Sequence, residues 1–418
     1  MARKGSNSVH VRHYNERVIL ETLRRDGQAS KAELARSANL TPPAVAGIVD
    51  ALLEAGFIEQ KGRRFGQVGQ PSVMYSLAPD GAYSVGLHVG RRSLNAVLMD
   101  FSGRVRASES HEYGFPEPSA VVRLSVSSIQ RLLGTLPEDA KKKVIGIGLA
   151  MPYFLGGWKT DQNVLDEIAK TWETFDLKSQ LTSLTKFPVY LENDASAAAV
   201  AELVYGVGRN YKNFIYLSLK TFIGGGLVID GNLFPGPHGN SAAFGPFPVS
   251  PSRLSSVPPP TGPFEILLRR ASVATLMRHL RSNGIQINRV KDLEYLPSDG
   301  QPYLREWQED CADALAQAIV GSISVIDVDV IIIDGILPRG ILDTTISMVS
   351  RRFDEIVPDG VIAPPIISGS TGAQAAATGA AILPVYAMFT PDSAILTKRM
   401  PSPKRSLLVG SGDGAYQA

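Results

Sequence analysis

Residues 188–206 read PVYLENDASAAAVAELVYG. The stretch 188–191 suits a buried strand, Glu192, Asn193 and Asp194 stand at its end, and an alanine-rich helix is expected over 195–205. Working upstream, strands are expected at 84–89 and 94–99 on either side of Gly90. The Asp100-Phe101-Ser102-Gly103 turn leads into another strand, and a helix at 118–134 precedes an apolar strand at 144–150. Downstream, 214–219 and 227–231 form a strand hairpin about the turn 220–226, which holds Gly224, Gly225 and Gly226. A further apolar strand follows at 328–335 and a small-residue helix at 372–382. Alternating strands and helices of this kind imply an α/β body.

The chain has 418 residues, about three times a typical domain length, so at least two folded units are expected. With 44% hydrophobic and 20% charged residues it has the composition of a soluble globular protein, and bulk disorder is excluded. No run reaches the roughly 18 to 20 uninterrupted apolar residues of a membrane span, and the opening MARKGSNS lacks a signal-peptide core, so a cytoplasmic location is expected. A single cysteine, Cys311, excludes an internal disulfide and a thiolate zinc cage. It lies on an apolar helical stretch and reads as a buried small residue.

Net charge is +2, but residues 1–80 hold 11 Lys or Arg against 8 Asp or Glu, leaving 31 against 32 in the rest. The basic excess is therefore amino-terminal. After a polar lead with Arg3, Lys4 and Arg12, a first helix is expected over 15–25, closed by Asp26-Gly27. Ser30 and Glu33 form a capping box opening a second helix through Ala38. Thr41 caps a third, with Pro42 at its first position and Val45, Ile48, Val49, Leu52 and Leu53 as its apolar stripe. A strand at 57–60, a glycine-rich basic loop at 61–71 and a returning strand at 72–77 follow as a wing. Together they make a winged helix-turn-helix whose partner is double-stranded DNA.

The third helix lacks Arg, Lys, Asn and Gln, so the bidentate base contacts that commonly specify sequence cannot come from it. Thr41, with Pro42, Pro43, Ala44 and Gly47 against thymine methyls, is left to read bases. Lys61, Arg63 and Arg64 would supply phosphate contacts and salt dependence. Ser30 and Gln70 complete the expected interface.

The ordered set Glu192-Asn193-Asp194-Ala195, Gly206-Val207-Gly208-Arg209-Asn210, Gly224-Gly225-Gly226 and the run 231–240 (GNLFPGPHGN) resembles the ROK family of repressors, uncharacterised frames and sugar kinases over roughly residues 10–388. The resemblance implies a winged helix-turn-helix at 1–80 followed at 81–390 by a two-lobed, actin-like (ribonuclease H-like) sugar-kinase-type body. One lobe would hold about 81–192 with a closing helix at about 372–388, and the other about 193–371. Residues 391–418, with Lys398, Arg399, Lys404 and Arg405, read as a disordered tail.

Kinase members carry a metal-ordering aspartate where this chain has His88, followed by Arg91 and Arg92, and a glycine-rich phosphate loop where it has Lys220 and Phe222. Phosphoryl transfer rests on positioning and charge, so its loss is implied, and Asp194, the family's catalytic-base position, is assigned no catalysis. The family's zinc histidine and cysteines fall on Pro246, Ser256, Pro258 and Pro263, so no metal is expected; Pro258, Pro259 and Pro260 would stiffen that loop instead. No other cofactor is expected. Of the family's sugar contacts, Asn193, Asp194 and Glu265 are kept, while Ala243 and Pro246 are losses at roughly 1 to 3 kcal/mol each. His238, in a turn near the presumed cleft, joins the effector candidates. Three outcomes stay open: a less hydroxylated ligand, a remodelled sugar site, or a body kept for dimerisation and docking. Related wings often carry an arginine at Gln70, and glutamine weakens the expected minor-groove contact. The resulting expectation is a DNA-binding regulator, a repressor, that pairs as a homodimer or higher homo-oligomer; an active sugar kinase and a scaffold that does not bind DNA are the competing classes.

Overall fold

The computed structural model describes residues 8–64, 71–153, 155 and 166–391. The chain divides into two compact units, Met1–Asp194 with Ala377–Ala418, and Ala195–Ala376.

The first unit opens with α1 (Ser8–Asp26), β1 (Ala29–Ser30), α2 (Lys31–Ala38), α3 (Pro42–Glu54), β2 (Ile58–Arg64) and β3 (Ser72–Leu77). The small sheet has the order β1-β3-β2 and is antiparallel. Helix α1 starts well before the expected residue 15, where Glu16 accepts from Arg12 one turn earlier and contacts the His13 ring, each at 3.1 Å. The basic loop is also shorter than expected at its start. Its first cations lie within β2, which continues to Arg64 through a register shift between Gln60 and Arg63, with Gly62 at φ +95°.

Ile19, Leu23, Leu34, Val45 and Val49 form the core of this bundle, and that core runs on into Phe101, Val385 and Phe389. The Phe57, Phe101 and Phe389 rings meet at centroid distances of 4.9 to 5.5 Å. The winged bundle and the next sheet of this unit therefore share one apolar cluster.

That sheet is built from β4 (Tyr83–Val89), β5 (Ser93–Asp100), β6 (Val105–Glu112), α4 (Pro118–Gly134), α5 (Glu138–Lys141), β7 (Val144–Met151), α6 (Asp166–Thr174), α7 (Leu177–Thr185) and β8 (Val189–Asn193). Its order is β6-β5-β4-β7-β8; the first three strands are an antiparallel meander, and β7 and β8 run parallel to β4. Every residue of β4 is buried, as expected of a strand covered on both faces.

The second unit contains α8 (Asp194–Val204, from Ala195 onward), β9 (Phe214–Leu219), β10 (Gly224–Ile229), β11 (Asn232–Leu233), β12 (Pro248–Val249), β13 (Glu265–Ile266), α9 (Leu267–Arg270), α10 (Val273–Ser282), α11 (Gln301–Ile323), β14 (Val330–Gly335), α12 (Arg339–Ile356) and β15 (Ile366–Ser368). Its sheet order is β11-β10-β9-β14-β15, with β14 parallel to both neighbours. Gly224, Gly225 and Gly226 are not in the turn but in β10, opposite Ser218, Leu217 and Tyr216. The reason is tertiary: a Cβ on Gly226 would stand 2.5 Å from that of Ala199, and one on Gly225 2.4 Å from the Phe244 ring. Glycine lets helix and ring lie directly on this strand.

The proline-rich loop is held by more than proline. Arg270, fully buried, donates to both Asp310 carboxylate oxygens, and Asp310 accepts in turn from Ser252 Oγ and Arg253 N. Ser256 Oγ lies 2.8 Å from His279 Nδ1, whose Nε2 lies 3.0 Å from Glu306.

The last helix is α13 (Ala375–Phe389), later than the expected 372–382 because Gly372–Gln374 form a 3₁₀ turn. Gly372–Phe389 is long and apolar enough to cross a membrane by composition, but it is largely buried in protein. Within the first unit it lies on Gly86 and Gly148, register partners whose Cβ atoms would fall 2.1 Å from Ala377 O and 1.7 Å from Ala380 O. Ser84 Oγ donates to Ala381 O at 2.6 Å on the same contact.

Candidate nucleic-acid interface

Helix α3 divides into two faces. Val45, Ile48, Val49 and Leu52 are buried, whereas Thr41, Pro42, Pro43, Ala44 and Gly47 are exposed. No side chain on this exposed stretch is larger than proline or threonine, so the surface is smooth and has methyl-sized contacts to offer. Asp50 further along is exposed and lies 2.7 Å from Lys31 Nζ, which neutralises it. Thr41 has cap geometry, but its side chain makes no capping bond, contrary to expectation. Pro42 follows at the first turn, where a missing amide costs nothing.

Ser30, expected to face DNA, is turned inward. It is buried, its hydroxyl accepts from Glu33 N, and both its amide and its hydroxyl donate to Glu33 Oε2. The capping box is complete, and this consumes the hydroxyl expected to face DNA.

The basic strand β2 is also tied inward. Lys61 Nζ lies 2.6 Å from Glu59 Oε1, and Arg64 Nη1 donates to Glu33 Oε1 at 2.8 Å; Arg63 is exposed. Glu33 therefore joins the start of α2 to the wing. Hydrogen bonds from Ser30 first, with the Arg64 charge behind them, hold its carboxyl below the usual range. Its role at the wing is invisible in sequence, where Glu33 reads only as a capping partner. Arg36 and Asn39 are exposed beside the turn into α3, and their place in a helix-turn-helix is the sequence signal that marks them. Gln70, with Arg3 and Lys4, lies outside the described residues.

Asn193 ends β8 and Asp194 opens α8, both half-buried in the first unit. His88 Nε2 is 3.5 Å from Asp194 Oδ2. Arg91 donates to Leu155 O at 2.6 Å; burial lowers its guanidinium to about 10, against the opposing pull of Asp194. Asp194 thus faces an imidazole and a guanidinium. Among the described residues, no three or more His, Cys, Asp or Glu side chains are grouped to hold a metal ion.

His238 and Glu265 belong to the second unit. His238 is exposed in its turn. Glu265 is buried, accepts from Ile266 N at 2.9 Å and lies 3.8 Å from Arg269 Nη1. Lys220 is buried and Phe222 half-buried in the segment before β10, where Val273 N and Ala274 N donate to Lys220 O and Thr221 O.

The ROK family model matches residues 84–385, and a winged helix-turn-helix DNA-binding model matches 12–59. A xylose repressor of Bacillus subtilis is 27% identical over 240 residues, 57% of this chain and 62% of that protein, so the match spans less than two thirds of the relative. A crystal structure described as a ROK family transcriptional regulator, homologous to the Escherichia coli Mlc protein, superposes with TM-score 0.66 at 18% identity, covering 93% of this chain and 99% of that one. A ROK family glucokinase from Streptomyces griseus, solved with glucose and AMPPNP, covers 72% of this chain and 99% of its own, with TM-score 0.56 at 19% identity.

Proposed function

This chain belongs to the ROK family, and from that premise we propose that it is a DNA-binding transcriptional repressor whose sugar-kinase-like body binds an effector and pairs two chains without transferring phosphoryl groups. The observation that carries the reading is the exposed small-residue face of α3 beside the basic strand β2, on one chain with the family body. Affinity then comes from phosphate contacts, and base reading from methyl-sized contacts. Two paired chains present two winged domains to two half-sites.

The loss of catalysis is supported in each unit separately. His88 stands beside Asp194 where kinase members use a carboxylate, and an imidazole does not hold magnesium as a carboxylate does. In the second unit, Phe244 covers Gly225, and Lys220 is buried ahead of the glycine strand. Phosphoryl transfer depends on cradles that these side chains do not offer.

The effector class is a carbohydrate or a related small molecule, in keeping with the similarity to a xylose repressor. Ala243 and Pro246 provide no side-chain hydrogen bonds, so a standard hexose binds weakly. Control requires that the effector prefer one of two arrangements of the body.

The test mixes the purified protein with fragmented genomic DNA at near-physiological salt, with and without sugars and sugar acids, and sequences what is retained. Sharp peaks sharing a two-fold motif are expected. Diffuse, salt-labile retention would mean that α3 does not specify sequence by itself. Hexose-dependent ATP consumption that disappears in Asp194→Asn would instead establish a kinase.

A further inference from the structure

Within the first unit, a cavity of about 380 Å³ opens where the winged bundle meets the β5–β6 turn. Four cations line it: Arg24 from α1, Lys61 from β2, and Arg104 and Arg106 from the body. Two carboxylates, Glu59 and Asp100, share the wall. Both are ion-paired, although Glu59 Oε1 makes no hydrogen bond among the described residues. Asp100 accepts from Ser102 N and Oγ, from Arg104 N and from Arg106 Nη1, and Glu59 lies 2.6 Å from Lys61 Nζ.

Arg24 is the unusual member. Its side chain is only 3% exposed, its Nη1 donates to Glu21 at 2.8 Å, and the guanidinium carbon lies 5.7 Å from the Phe101 ring centre. Nε and Nη2 have no acceptor among the described residues. A buried guanidinium with unspent donors is costly, and native structures normally supply an acceptor. A planar fork of this kind matches a phosphate or carboxylate in two-pronged fashion.

We propose that this cavity binds a phosphomonoester metabolite, with Arg24 as the buried anchor and Arg104 and Arg106 as the outer charges. Its volume falls in the range of small-molecule sites and exceeds the needs of a bare phosphate. Since its walls come from both the winged bundle and the body sheet, an occupant fastens one to the other. Lys61 shares β2 with Arg63 and Arg64, so occupancy also alters the charge and freedom of the wing. That last consequence rests on the DNA-binding reading above; binding itself does not.

The experiment is equilibrium dialysis of the full chain with radiolabelled inorganic phosphate at constant ionic strength, with unlabelled phosphate and glycerol phosphate as competitors. Saturable one-to-one binding is expected, weakened about tenfold in Arg104→Gln/Arg106→Gln, with glycerol phosphate the stronger competitor. Non-saturable retention, or equal binding by the double variant, overturns the site. Equal competition by the two ligands overturns the metabolite in favour of free phosphate. Because Arg106 supports Asp100, the single variant Arg104→Gln, exposed at the rim, repeats the test if the double variant misfolds; unaltered binding by it removes Arg104 from the site and overturns the assignment as stated. Failure of DNA retention in every sample would sink the regulator reading, while dialysis still decides the cavity.

Discussion

The His88 imidazole and the Asp194 carboxylate lie 3.5 Å apart, joining the strand that begins the body to the corner that opens α8. Arg91 adds a favourable charge. Asp194→Asn keeps the shape and removes the charge, and a loss of about 1 kcal/mol is expected in urea denaturation. ATP consumption should be absent before and after the change. A stable variant accompanied by lost turnover would reverse both expectations.

Ser30→Ala removes the hydroxyl half of a capping box, at a cost of about 1 kcal/mol to the winged bundle, read from thermal melts. The same box sets an acid dependence. Glu33 has a folded pKa below its unfolded value of about 4.3, so its stabilising contribution is present above that value and is lost as pH falls through the lowered folded value. Glu33→Gln should flatten the stability profile in this acidic window; an unchanged profile would remove Glu33 as its source.

Salt titration separates phosphate contacts from base contacts. For Arg63→Ala with Arg64→Ala, the slope of log affinity against log salt should shrink by about 1 to 2. Glu33→Gln should act the other way and tighten binding, because Arg64 is released from its 2.8 Å partner. Equal slopes for wild type and double variant would show that β2 does not touch the backbone.

Gly148 carries the closest approach of α13 to its sheet. Gly148→Ala would drive a methyl into Ala380 O, and backbone on both sides leaves little to yield. A loss of about 3 kcal/mol or more is expected, seen as an insoluble or early-melting protein. Gly134→Ala, with open space around it, serves as the control and should fold normally.

Local signals were legible in the sequence because their causes are local. The Ser30 and Glu33 box, Pro42 at the start of α3 and the full span of α4 are set by groups within one or two helical turns. The same holds for the meander β4–β6 with its turns at Gly90 and Asp100. The sequence misleads where a residue type has two meanings. Gly224, Gly225 and Gly226 suggest a turn in sequence, yet in β10 they admit Ala195, Ala199 and Phe244 at close range. Lys61 and Arg64 suggest a flexible basic loop, yet they continue a strand.

By itself, the sequence determined the order of elements, the winged helix-turn-helix and the absence of base-reading side chains on α3, since each depends on neighbours along the chain. The tertiary structure decided which polar groups are free to act. Glu33 holds Arg64 from 31 positions away, Asp194 faces His88 across the sheet, and Arg24 is enclosed by Phe101 and the body. Contacts between residues so distant in sequence leave no periodic trace, because they are set by packing of whole elements and not by the spacing within one.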